Sequence, residues 1–224
     1  MKISYPALIL YNLEFVKTCD IIVTSKITGS FLEGDFMRAV EPIRDLKEIN
    51  AMKKYLKGKN IRDYALFVVG INVALRISDL LELTWGDVLK DRDFKTVNLK
   101  EGKTKKIRDI KLNKAAQRAL RELLETLDTY KLSDYIFKSR EGDNEPITRQ
   151  QALNILKDAA EAIGIEENVG THSLRKTWGY HAWKNGFNPA LIMETLNHSN
   201  LNIMKRYLGI RQDEINDLYD NLNI

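Results

Sequence analysis

Cysteine occurs once, at Cys19, in a chain of 224 residues. An internal disulfide framework and a cysteine-based zinc site are therefore excluded. Histidine is nearly as scarce, and three residues can make at most a small metal site. With four prolines there is no rigid spacer and no Pro-rich tract. Long apolar runs are also missing. A membrane span needs about 18–20 apolar residues in a row. The best run, Ala65 to Leu75, is shorter and carries Asn72. Near the N-terminus, Ala7 to Leu10 is too short for a signal-peptide core, and Asn12 and Glu14 break its continuation. A cytoplasmic protein is expected. Neither sign of charge dominates: 35 Lys and Arg stand against 31 Asp and Glu, a net +4. That is a weak pointer to an anionic partner. What is present is ordinary for a globular chain, 44% apolar and 29% charged, with length for one large domain or two small ones.

Hydrophobic periodicity becomes regular from Pro42 onward. Arg44–Lys57 and Ile61–Ala74 carry apolar residues at helical spacing. A short helix comes next, with Ser78 as its expected N-cap and Leu80, Leu81 and Leu83 turned inward. Thr96–Leu99 and Ile107–Leu112 read as a hairpin around Glu101-Gly102, and Ile136-Phe137 as a third short strand. Asn113 caps a helix over Lys114–Leu127. Thr148 and Gln151 have capping-box spacing for a helix ending at Gly164. A helix runs from Thr171 to Gly186, and another starts at Asn188-Pro189 and ends at Asn197. The expected class is mixed α+β, mainly helical with a small antiparallel three-stranded sheet. Residues 1–40 read as an extension without a domain of its own. Residues 1–36 admit a second reading, as translated upstream sequence with Met37 the natural start. Residues 212–224 form an amphipathic tail carrying Ile215, Leu218, Tyr219 and Leu222.

Charge is unevenly spread. Lys100 to Lys111 holds six basic residues against Glu101 and Asp109. Gly170 to Gly186 holds Arg175, Lys176 and Lys184 and no acid. A basic hairpin alone is usually a solvated face. Beside a basic, acid-free helix it becomes a candidate phosphate-tracking surface.

Four segments carry candidate chemistry: Ala74-Leu75-Arg76 through Val88, Glu101-Gly102-Lys103-Thr104-Lys105-Lys106-Ile107-Arg108, Thr171-His172-Ser173-Leu174-Arg175, and Leu196-Asn197-His198-Ser199 with Tyr207 nine residues beyond His198. Phosphoryl transfer builds charge on non-bridging oxygens. Two guanidiniums suit it, each a permanently charged, rigid fork. Arg76 comes just after a buried helix and Arg175 lies within one, so both are held on rigid elements. His172 and Arg175, three apart, share a helix face. A tyrosine hydroxyl serves as nucleophile where positive charge favours its phenolate. A hairpin lysine can protonate a leaving alkoxide.

Singly, each of these residues has a plain structural reading. Arg76 would be a surface or capping residue, His172 a cap, and Lys103 a solvent-exposed turn residue. His198 would be a cation favoured by a helix C-terminus, and Tyr207 part of the core between Met204 and Leu208. Jointly, the plain readings leave the order and spacing unaccounted for. From about Pro42 to Arg211 the set resembles the tyrosine recombinase (phage integrase) family. The resemblance implies the family's DNA breaking-rejoining fold over residues 41–211 and site-specific recombination of double-stranded DNA without ATP or metal. By resemblance, Tyr207 attacks the scissile phosphate and forms a 3′-phosphotyrosyl link, while Arg76 and Arg175 clamp the phosphate. Lys103 protonates the leaving 5′-oxygen, His172 takes part in proton transfer from the tyrosine, and His198 supports the transition state. It also implies self-association on DNA through the tail. His181, Trp85, Trp178 and Trp183 are read as structural.

The chain departs from the family pattern in three places. Asn197 stands where glycine is usual, at a position expected to be left-handed, which Asn tolerates next best. Asn202-Ile203-Met204-Lys205-Arg206 replaces a stretch usually containing Thr. The residues before Pro42 are too few and too little patterned for the family's N-terminal clamp domain, so a catalytic domain alone is expected. Alternatives are a non-catalytic DNA-binding module of the same fold and a type IB topoisomerase-like nicking-closing enzyme. A His-based metal hydrolase fits poorly, because no carboxylate ligands accompany His172 and His198.

Overall fold

A computed structural model describes residues 39–89, 93–103, 105, 107–210, 216 and 219–221. The extension up to residue 38 and most of the tail, with Ile215, Leu218 and Leu222, lie outside the described residues. Helix α1 (Leu46–Lys59) begins at Asp45, whose side chain accepts from the Lys47 N–H. Helix α2 (Ile61–Val73) begins at Asn60 in the same way. It is apolar almost all round because it is the central helix, packed against α1 and against two later helices, Lys114–Leu124 and Thr171–Lys184. Ala74 ends it in a left-handed conformation, φ 54°. Helices α3 (Ile77–Leu81) and α4 (Trp85–Leu89) come after it. Ser78 is not the N-cap of α3: that position is Arg76, extended and without a side-chain capping bond, and Ser78 lies inside the helix.

Strands β1 (Thr96–Lys100) and β2 (Ile107–Lys111) pair antiparallel, Thr96 opposite Lys111 and Lys100 opposite Ile107. The expected third strand does not join them: among the described residues the sheet has two strands. Ile136 and Phe137 are fully buried, which explains their strand-like composition. Their partners lie elsewhere. Ile136 N–H donates to Leu83 O at 2.8 Å, and Ile147 N–H donates to Phe137 O at 2.8 Å. Isolated bridges flank the pair, Thr84 to Tyr135 and Lys138 to Pro146.

Helix α5 (Lys114–Leu124) is capped by Asn113, and α6 (Arg149–Ile163) carries the reciprocal Thr148–Gln151 box and ends at left-handed Gly164. Helices α7 (Thr171–Lys184), α8 (Pro189–Thr195) and α9 (Leu201–Leu208) complete the chain as far as residue 210. The main core gathers α1–α7 and includes Trp85. A second cluster of Ala74, Ile192, Leu196, Met204 and Leu208 joins α8 and α9 to α7, with Trp178 and Trp183 half-buried at its edge. Gly179 makes that junction possible. A Cβ there would lie 2.5 Å from Leu208 Cδ2 and 3.1 Å from Leu196 Cδ1. One face of α7 also holds the segment before α1: Thr177 Oγ1 accepts from Ile43 N–H, Ser173 Oγ and Lys176 Nζ donate to Glu41 O and Val40 O, and His181 Nε2 donates to Ile43 O. Among the described residues, no helix is long and apolar enough to cross a membrane.

Candidate active site

Helix α7 supplies the centre of the site. Arg175 is 4% exposed. Its Nη1 donates to Ala74 O at 2.5 Å and its Nη2 to Leu196 O at 2.7 Å. These carbonyls cap the C-terminal ends of α2 and α8. Helix C-termini leave carbonyls unpaired and carry partial negative charge, so a guanidinium is stabilised where two of them meet. The same two bonds fix the loops that lead to Arg76 and His198, each two residues further along. Of the five N–H donors of an arginine, three remain for Tyr207 and a ligand.

Arg76 is anchored through one nitrogen. Its Nη1 lies 3.0 Å from Glu101 Oε2 and 3.8 Å from Asp79 Oδ2. Among the described residues Nε and Nη2 are uncommitted. His172 lies at the first turn of α7, three residues from Arg175, with part of its surface open to solvent. Partial desolvation of its ring and the cations Arg149, Lys176, Arg175 and Arg76 hold its pKa below the ordinary imidazole value.

His198 is placed by a helix stop. Asn197 N–H donates to Glu194 O and His198 N–H to Met193 O, with Asn197 left-handed at φ 49°. This is a Schellman motif, so asparagine occupies the C′ position as expected. Burial and the charges of Arg175 and Arg76 lower the His198 pKa too, and its Nδ1 is buried without a hydrogen-bond partner among the described residues.

Tyr207 sits near the end of α9, capped by left-handed Gly209. Its ring is half-buried and meets His198 edge-on, with centroids 4.8 Å apart. Lys176 Nζ lies 5.1 Å from the ring centroid. Burial raises the phenol pKa, against the lowering by Arg175, through charge and a hydrogen bond, and by Arg76. Burial wins, so the arginines do not produce a phenolate by themselves.

Arg76, His172, Arg175, His198 and Tyr207 thus converge. Lys103 stands apart, exposed in the turn between β1 and β2. The turn beneath it is anchored in the site: Glu101 is 1% exposed and Gly102 N–H donates to Asp79 Oδ1 at 3.0 Å. Glu101, Asp79, Arg108 and Lys176 also stand around these residues; the sequence marks Arg108 and Lys176 only as basic surface and gives Glu101 and Asp79 no role. Asp79, three residues after Arg76 on a helix, carries a detectable signal. Glu101, in a lysine-rich turn, does not. Among the described residues no group of three or more His, Cys, Asp and Glu has the arrangement of a metal site.

The fold and the clustered Arg, His and Tyr side chains define a tyrosine recombinase catalytic domain. Residues 44–214 match the phage integrase family, and the chain belongs to it. A Bacillus subtilis (strain 168) protein named "Probable integrase/recombinase YoeC" is 45% identical over 184 residues, covering 82% of this chain and 97% of that protein. Tyrosine recombinase XerD of Listeria innocua is 28% identical over 166 residues, 71% of this chain but only 54% of XerD. Among solved structures, XerA recombinase superposes with a TM-score of 0.67 at 20% identity, over 82% of this chain and 67% of that one. A lambda integrase (75–356) dimer bound to a COC′ core site gives 0.58 at 15% identity, over 76% and 60%.

Proposed function

We propose that this domain cuts and rejoins duplex DNA at specific sites, with Tyr207 as the nucleophile. The observation that carries the reading is the Tyr207 ring packed edge-on against His198, 4.8 Å between centroids, beside buried Arg175 and with Arg76 and His172 around them. The phenolic oxygen attacks the scissile phosphorus. A 3′-phosphotyrosyl bond forms as the P–O5′ bond breaks, and the phenolic proton passes to His172, which is neutral at pH 7 and can accept it. Arg76 and Arg175 hold the non-bridging oxygens, where charge increases. His198, also neutral, donates to the same oxygens. Lys103 gives a proton to the departing 5′-oxygen. Attack of a 5′-hydroxyl on the phosphotyrosyl bond reverses each transfer and rejoins the strand.

The DNA lies against the basic hairpin and the N-terminal half of α7. Cytoplasmic action fits such a substrate. Self-association on DNA uses the tail of a second copy. Its acceptor is a groove of about 580 Å³ lined by α1, α7 and α8 with parts of α2 and α5. Leu46, Phe187 and Leu191 are exposed in that groove and match the apolar stripe of the tail.

Incubation with a nicked-site duplex tests the chemistry. Tyr207→Phe is expected to abolish the SDS-resistant protein–DNA adduct while leaving non-covalent binding near wild type, because only the hydroxyl is removed. An adduct formed by the variant would transfer the nucleophile's role to another residue, Tyr219 first.

A further inference from the structure

Glu101 is an acid set among basic residues, with Lys100, Lys103, Lys105, Lys106 and Arg108 all within seven positions. In sequence it looks like a solvated counter-charge. In the fold it is 1% exposed. Burying a carboxylate is unfavourable unless its oxygens are paired. Both are: Oε2 with Arg76 Nη1 at 3.0 Å and Oε1 with Arg108 Nη1 at 3.0 Å. Arg108 Nη1 also donates to Thr195 O at 2.9 Å, at the end of α8, three residues before His198.

We propose that Glu101 is a positioning residue that locks the hairpin carrying Lys103 onto the phosphate-binding guanidinium of Arg76. The inference rests on the assignment of Lys103 as the proton donor to the leaving 5′-oxygen. Lys103 is the middle residue of a turn closed by Lys105 N–H donating to Glu101 O at 2.9 Å. Glu101 and Gly102 are the only two residues between β1 and Lys103. The first is fixed through its side chain to Arg76, the second through its backbone N–H to Asp79 Oδ1. Two peptide units separate the Glu101 and Lys103 Cα atoms, a span of at most about 7 Å. The phosphate held by Arg76 and the root of the lysine therefore share one rigid reference.

The carboxylate suits this task better than an amide. It accepts from two arginines at once, whereas glutamine would turn an N–H₂ toward one of them. Glu101 does not touch the reacting atoms in this scheme. It acts through the turn, by fixing the root of Lys103 relative to Arg76, which also lies beside Asp79.

Leaving-group protonation can be isolated chemically. A duplex with a 5′-bridging sulfur at the scissile position expels a thiolate, which needs no proton donor. Glu101→Gln is expected to slow single-turnover cleavage of the oxygen substrate by ~10–100-fold, the scale of a misplaced catalytic group. On the sulfur substrate it should cleave within about threefold of wild type. Equal losses on both substrates, or no loss on either, would overturn the proposal. Lys103→Ala is measured alongside. If sulfur rescues Lys103→Ala but not Glu101→Gln, the positioning role fails and the proton-donor assignment stands. If sulfur rescues neither, the proton-donor assignment itself fails. Should Glu101→Gln not fold, Glu101→Asp takes its place. It keeps the charge and shortens the reach, so a smaller loss with the same rescue is expected, and a loss shared by both substrates overturns the proposal equally.

Discussion

Tyr207 keeps its proton at neutral pH in the free domain, since burial moves its phenol above the ordinary value and Arg175 and Arg76 only partly offset this. Attack therefore needs a proton acceptor. Both candidate imidazoles have lowered pKa values, so each remains neutral to a lower pH than a free histidine. Adduct formation at sub-saturating DNA should accordingly be flat near pH 7 and fall only below the ordinary imidazole value of about 6.5, as the base is protonated. His172→Ala should be slow, should lose this acidic limb, and should instead speed up as pH rises toward ionisation of Tyr207. A pH–rate profile of both proteins checks this. If the limb survives in His172→Ala and disappears in His198→Ala, the base is His198, whose ring is 4.8 Å from that of Tyr207.

Among the elements, α7 does the most. It bears His172 and Arg175, it binds the two helix ends that lead to Arg76 and His198, and through Gly179 it receives α9 with Tyr207. Much of this is legible in the sequence. Asn113, the Thr148–Gln151 pair, Asn188-Pro189 and Asn197 mark helix ends by local hydrogen bonding, which survives in any tertiary context. Helix α9 is harder to read although Asn200 and Gly209 bracket it, because its eight residues span barely two turns and Tyr207 stands out as a motif residue rather than as part of a helical stripe. Helix α4 escapes because five residues carry little periodicity, although Thr84 N–H and Oγ1 both donate to Asp87. The pairing of Ile136 and Phe137 and the burial of Glu101 are long-range facts with no local signature. Gly179 offers an element-scale test. Gly179→Val drives methyls into Leu208 and Leu196, on two different elements, so one rotamer change cannot relieve it. A loss of about 1–3 kcal/mol in stability is expected, the range for overpacking. Adduct formation should fall more than DNA binding, because α9 moves while the basic surface stays. Unchanged melting and adduct yield would mean that α9 is not held by this contact.

At the scale of the whole molecule, positive charge gathers on the hairpin and α7, the proposed DNA-facing surface, while the segment after Ile210 is net acidic, with Arg211 against Asp213, Glu214, Asp217 and Asp220. The tail is therefore unsuited to gripping phosphate and suited to a protein partner. An amphipathic stripe of about ten residues is too short to be a stable helix alone in water. Its one described stripe residue, Tyr219, is 78% exposed. Docking into the α1–α7–α8 groove of a second copy would cover that stripe together with Leu46, Phe187 and Leu191. It would also link protomers bound to adjacent sites. The expected behaviour is weak, strongly salt-dependent binding to one site, since affinity then rests on phosphate contacts, and cooperative binding to two. Deleting residues 212–224 should remove the cooperativity and leave single-site affinity and its salt slope largely intact. Leu191→Glu, placed in the groove, should do the same to the full chain. Both are checked by titrating one-site and two-site duplexes at several salt concentrations. If the truncated protein binds the two-site duplex as cooperatively as the full chain, the tail docks on its own domain and protomers meet through another surface.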